Sequence, residues 1–232
     1  MIYKYTNIDI NKIKFSDKPY NKLQYINIGN EKIEKNIHYI DMYYNNDALY
    51  IQLPKTKLYL ANLDNNVIKI VIDDKVNDNF IKKLEEYIIK VVYKNSELWF
   101  DGKRFTMNKI INCIVRNVNY IEENIILTLT LDKECKIFNQ YGILLDIKEL
   151  DSRGTLPTKV VDGRGIVCII KIDNLQFIDN KFSYNIVLEQ AKIYKDTKIT
   201  EYSILDDDSV VSFESKTTAS FNLDDEYYKK TD

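Results

Sequence analysis

The chain has 232 residues, of which 45% are apolar and 29% charged, with a formal net charge of −2. That length buries a sizeable core, and the composition excludes a disordered or collagen-like chain. No apolar run approaches the roughly 20 residues of a membrane-spanning helix.

Met1 to Asp17 alternates Ile, Tyr and Lys with polar residues and holds no continuous apolar segment of the secretory kind, so an intracellular location, cytoplasmic or nuclear, is expected. Residues 1–46 read as an N-terminal extension to one β-rich domain over 1–199. Leu49, Ile51 and Leu53 alternate up to Pro54, which ends a strand or lies on an edge. Lys57–Leu63 and Val67–Ile72 read as two further strands about an Asp64-Asn65-Asn66 turn.

A helix follows. Asn77 or Asp78 can cap it, and Phe80, Ile81, Leu84, Tyr87, Ile88 and Val91 recur at helical spacing. A shorter helix starts at Thr106 and carries Ile110 and Ile111. Ile125, Leu127, Leu129 and Leu131 mark a half-buried strand. Ile166–Ile172, Leu175–Ile178 and Phe182–Tyr194 read as a meander of long antiparallel strands. Arg153 to Gly165, with Pro157 inside, reads as a long loop. Beyond Ile199 periodicity fades, and residues 200–232 read as a disordered acidic tail. The class is mainly β with a minor α component, a Greek-key barrel or sandwich with helical insertions.

Chemistry is sparse. His38 is the one histidine, and Cys113, Cys135 and Cys168 are scattered, which suits neither a zinc site nor a disulfide framework. Gly163-Arg164-Gly165 matches no phosphate-binding glycine pattern, and it precedes a strand rather than a helix. We expect no enzyme, no cofactor and no metal.

Two segments interleave aromatic and basic residues. The first, Leu98 to Phe105, holds Trp99, Phe100, Lys103, Arg104 and Phe105, which offer ring faces beside cations as single-strand binding requires. A hairpin that packs Trp99 inward explains the same segment. The second places Arg153, Lys159 and Arg164 in the Gly-containing loop, where they close over a phosphodiester backbone or remain solvated. Lys55, Lys57, Tyr59, Phe177, Lys181, Phe182 and Tyr184 add contributors on neighbouring strands. The 18 tyrosines are discounted as a stacking signal, because Lys, Asn, Ile and Tyr all have A/T-rich codons.

Charge divides unevenly. Asp196 to Asp232 holds ten acids and four lysines, a net of −6, which leaves −2 minus −6, or +4, on Met1–Lys195. Asp206, Asp207, Asp208, Asp224, Asp225 and Glu226 concentrate the negative charge, in a tail that is either a solubilising terminus or a regulatory segment.

Residues 96–232 resemble the single-stranded DNA-binding proteins of nucleocytoplasmic large DNA viruses. Leu98-Trp99-Phe100-Asp101-Gly102-Lys103 carries the resemblance, with Gly165–Lys171, Leu175-Gln176-Phe177 and Phe182–Ile193. Phe177 stands where that family has a Trp, and the N-terminal half lies outside the match. The resemblance implies an OB-like barrel that binds single-stranded DNA without reading sequence, in replication, recombination or repair. It implies a groove of Trp99, Lys103, Arg104, Arg116, Arg153, Lys159 and Arg164, with Phe100, Phe105, Phe177 and Tyr184 as stacking rings. The acidic tail would compete for the groove and meet replication proteins. The competing expectation is a non-enzymatic interaction module, such as a virion or scaffold component.

Overall fold

The computed structural model describes residues 1–28, 31–100, 102–150 and 165–194. Met1–Asp196 forms one compact unit, and strands dominate it in a large mixed sheet. They are β1 (Ile2–Lys4), β2 (Ile13–Phe15), β3 (Tyr20–Ile28), β4 (Glu31–Tyr44), β5 (Leu49–Gln52), β6 (Thr56–Asn62), β7 (Val67–Ile72), β8 (Val118–Ile121), β9 (Asn124–Phe138), β10 (Leu144–Leu145), β11 (Gly165–Ile178) and β12 (Lys181–Tyr194).

Alternation decides which face each strand buries. Ile68, Ile70 and Ile72 of β7 point inward with Leu127, Leu129 and Leu131 of β9, while Lys69, Thr128 and Thr130 lie on the other face. Each buried Leu or Ile contributes about 1.5–3 kcal/mol, so the inward rows hold the strands in register.

β11 organises the sheet. Along one edge it pairs β12 throughout; along the other it meets β6 at Gly165–Ile166, β5 at Ile169–Ile172 and β4 at Asn174–Phe177. β12 continues to β9 in parallel, β9 to β7 and β7 to β6. Because β6 returns to β11 at Lys57–Gly165 and Thr56–Ile166, the pairing path closes on itself. β11 and β12 pair antiparallel, as the meander expected over Ile166–Tyr194 requires, while the β9–β12 pair is parallel. β11 also runs through Asp173-Asn174, where two strands separated by a turn were expected. A register shift between Ile172 and Leu175 absorbs the irregularity, and the buried Asn174 amide donates to Asp173 Oδ2 at 2.6 Å.

The helices fill the connection between β7 and β8. One helical run comprises α1 (Asp74–Val76), a π-helical turn over Asn77–Ile81 and α2 (Lys82–Lys94). Its cap is Asp73, whose carboxylate accepts from the Val76 N–H at 2.7 Å, rather than Asn77 or Asp78. Asn77 is instead buried and donates to the Tyr120 hydroxyl at 3.0 Å. Ser96–Trp99 forms α3, so Trp99 packs inward from a helix and not from a hairpin. α4 (Met107–Cys113) starts at the expected cap, with Thr106 Oγ1 accepting from the Lys109 N–H. No helix among the described residues is long and apolar enough to cross a membrane.

Candidate nucleic-acid interface

The stacking rings expected from sequence lie mainly in the core. Trp99, Phe100, Phe177 and Tyr184 are buried at 6%, 8%, 4% and 1% exposure. Phe177 meets Trp99, Phe100 and Phe182 with ring centroids 6.0, 5.2 and 5.9 Å apart, so this cluster closes one end of the β11–β12 hairpin. Rings exposed by 8% or less present no open face for a base, which corrects the stacking role expected of these four. Burial wins because each ring hides a large apolar area in a cluster that no solvent-facing position could match.

Phe105 is half-buried against Phe100 at 4.8 Å, with the Lys109 ammonium 4.1 Å from its centroid. Lys103 and Arg104 beside it are exposed and carry no ion pair among the described residues. This part of the expected groove remains on the surface.

Arg116 is committed elsewhere. Its Nε lies 3.2 Å from Glu85 Oε2, while the Tyr184 hydroxyl donates to Glu85 Oε1 at 2.9 Å. Burial raises the Glu85 carboxyl above the ordinary glutamate value, although both partners oppose the shift. The Tyr184 phenol is pushed far up by burial and then by the adjacent carboxylate. Arg153, Lys159 and Arg164, and Asp206, Asp207, Asp208, Asp224, Asp225 and Glu226 of the tail, lie outside the described residues.

The cation and aromatic cluster that the structure does assemble is at the opposite end of β11. Gly165 pairs Lys57 on one side and Tyr194 on the other. Pro54 lies in the link between β5 and β6, which carries Lys55 across the glycine. A side chain at Gly165 would place its Cβ 2.7 Å from Lys55 Cε. The open space lets the Lys55 ammonium sit 4.0 Å from the Tyr194 ring centroid. Lys192, two residues back on the same face of β12, brings its ammonium to 5.6 Å from the same ring. Lys55 and Lys57 are exposed and Tyr194 is half-buried. None of the three lysines has an ion pair among the described residues.

Sequence reasoning reached Lys55 and Lys57 but missed Tyr194 and Lys192 as ligand contacts. The available signal was alternation: Lys192 and Tyr194 are the outward positions between Ala191 and Ile193, which face the core. What alternation lacks is the neighbour across the sheet, and Lys55 lies 139 positions earlier than Tyr194 (194 − 55).

Among the described residues no group of three or more His, Cys, Asp or Glu side chains could hold a metal ion. The three cysteines are free and buried, as small core side chains. Burial raises Cys135 to about 12 and Cys168 further, which removes both as thiolate nucleophiles.

No family model and no curated protein sequence matches the chain. Solved structures similar to it are phage single-stranded DNA-binding proteins. The single-stranded DNA-binding protein from bacteriophage Enc34 is 13% identical, over 80% of this chain and 96% of that one, with a TM-score of 0.42. The same phage protein in complex with ssDNA is 11% identical over 67% and 90%, at 0.43. Its C-terminal truncation is 10% identical over 75% and 96%, at 0.42.

Proposed function

We propose that this chain is a sequence-independent single-stranded DNA-binding protein, acting in replication, recombination or repair, without enzymatic activity. The observation that carries the reading is the Tyr194 ring with the Lys55 and Lys192 ammonium groups over it and Lys57 paired across Gly165, none of the three ion-paired among the described residues. A half-exposed ring among unpaired ammonium groups is the local composition of a single-strand site, where cations track phosphates and a ring stacks bases.

The topology supports the same reading. Taken in chain order, the ring strands β6, β7, β9, β11 and β12 pair in the sequence first, second, third, fifth, fourth and back to first. That is a five-stranded Greek-key arrangement, which we take as an OB-like barrel, an architecture used for oligonucleotides. Fold alone does not assign function, so the weight stays on the surface cluster.

In the free protein the Lys55 ammonium covers one face of Tyr194. On binding, the ammonium moves to a phosphate and a base takes the ring face, exchanging a cation–π contact for a stack. Lys103, Arg104, Lys109 and Phe105 form a second contact zone. Arg153, Lys159 and Arg164 are further phosphate contacts in this proposal. The segment of net −6 repels phosphate, so deleting 206–232 should tighten binding at low salt.

The test is fluorescence anisotropy of labelled oligo-dT at 50 and 200 mM salt. Binding should weaken steeply with salt, and Tyr194→Ala should remove about 1–3 kcal/mol of affinity. Absence of binding at 50 mM by both the full chain and the 206–232 deletion would overturn the reading in favour of a protein-interaction module.

A further inference from the structure

A second built surface lies away from Tyr194. The segment Tyr5–Asp17 runs beside the solvent face of α2, and between them are two adjoining cavities of about 750 and 480 Å³. Asn11, Tyr87 and Val91 line both, so the two form one groove. Helical spacing explains the lining. Ile81, Leu84, Ile88 and Val92 turn inward, which leaves Lys83, Tyr87, Lys90, Val91 and Lys94 along one outward stripe.

The rim and the floor differ in chemistry. Lys83, Lys90 and Lys94 stand on the helix rim, exposed and without ion pairs among the described residues. They span about 16 Å of helix axis, from a rise of about 1.5 Å per residue. Tyr87, Val91 and Trp99 supply an apolar floor. Trp99 is 6% exposed, and its indole N–H has no hydrogen-bond partner.

We propose that this groove takes an extended acidic, apolar peptide segment of a partner protein. Carboxylates meet the lysine rim, and alternate apolar side chains rest on Tyr87 and Val91 beside the Trp99 ring. A span of about 16 Å is the reach of about five extended residues. Nucleic acid is the poorer fit, because Asp9, Glu86 and Asp17 also line the groove and would face a continuous row of phosphates. A peptide places its charges on alternate residues and avoids them.

Trp99 is the chain's one tryptophan, so its emission reports occupancy directly. The probe is a fluorescein-labelled eight-residue peptide alternating aspartate and leucine, titrated into the full chain. An unlabelled copy is used for Trp99 emission, and a lysine–leucine peptide serves as control. The acidic peptide should bind and shift Trp99 emission, and the control should not. Lys90→Glu with Lys94→Glu, both at exposed positions, should weaken the peptide at least tenfold and leave oligo-dT affinity within twofold. An unshifted Trp99 emission, or equal affinity in the variant, would overturn the proposal. So would a tenfold loss of oligo-dT affinity in the variant, which would assign the groove to the nucleic-acid path. Oligo-dT binding by the unsubstituted chain separately decides the fate of the Tyr194 reading.

Discussion

Glu85 places a carboxylate on the buried side of α2, against the Tyr184 hydroxyl, with Arg116 as its ion-pair partner among the described residues. The Arg116 side chain is 55% exposed, so water screens its pull and burial prevails. A carboxyl whose folded pKa is raised stabilises the fold below its unfolded value and loses that contribution as pH rises through the folded value. Unfolding by urea at several pH values should therefore show wild-type stability falling, relative to Glu85→Gln, from below the ordinary glutamate pKa of about 4.3 towards neutrality. A difference that rises with pH would mean that the Arg116 pair outweighs burial. Gly165 makes a different prediction. The nearest atom that a new Cβ would meet is the far end of the flexible Lys55 side chain, with Tyr194 Cβ next at 3.3 Å, so Gly165→Ala should change stability by about 1 kcal/mol at most. It should nevertheless displace Lys55 from Tyr194 and alter the salt dependence of binding.

Elements carry the larger energies. Phe177 joins Trp99, Phe100 and Phe182 at the point where β11 turns into β12, so Phe177→Ala should cost about 3–5 kcal/mol in chemical denaturation. The fraction that remains folded should bind oligo-dT as the wild type does. Asp73→Ala removes the cap of the helical run and should cost about 1 kcal/mol, with Asp73→Asn close to neutral. Local pattern sufficed for β7, β9 and α4, because alternation, a turn or a capping threonine is contained within a few residues. It misplaced the cap of the long helix by about one turn, since the π-helical turn after Val76 shifts the periodicity from which a start is read. It could not tell inward from outward rings at Trp99, Phe177 or Tyr184, because that depends on which strands flank β11. The Tyr194 surface was hidden for the same reason: β6, remote in sequence, meets the β11–β12 hairpin at Gly165.

At the scale of the whole molecule, the two cationic zones sit towards opposite ends of β11, with Gly165 and Phe177 at most about 40 Å apart along the strand. Phosphate contacts release counterions, with a slope of about −0.7 per contact for single strands. Replacing Lys55, Lys57 and Lys192 together by Gln should flatten the log-affinity against log-salt slope by about 2, measured by oligo-dT titration between 50 and 200 mM salt. A slope change near zero would remove that zone from the interface. The closure of the pairing path has a kinetic consequence as well. Thr56 and Ile166 meet across 110 positions (166 − 56) through only two register pairs, so the chain must organise every intervening strand before this seam can form. Such non-local closure places refolding in the millisecond-to-second range of strand-dominated topologies rather than the microsecond range of helical bundles. Until the seam closes, the β6 and β11 edges that it joins are open to the equivalent edges of neighbouring chains. Dilution during refolding should therefore raise the yield of native protein.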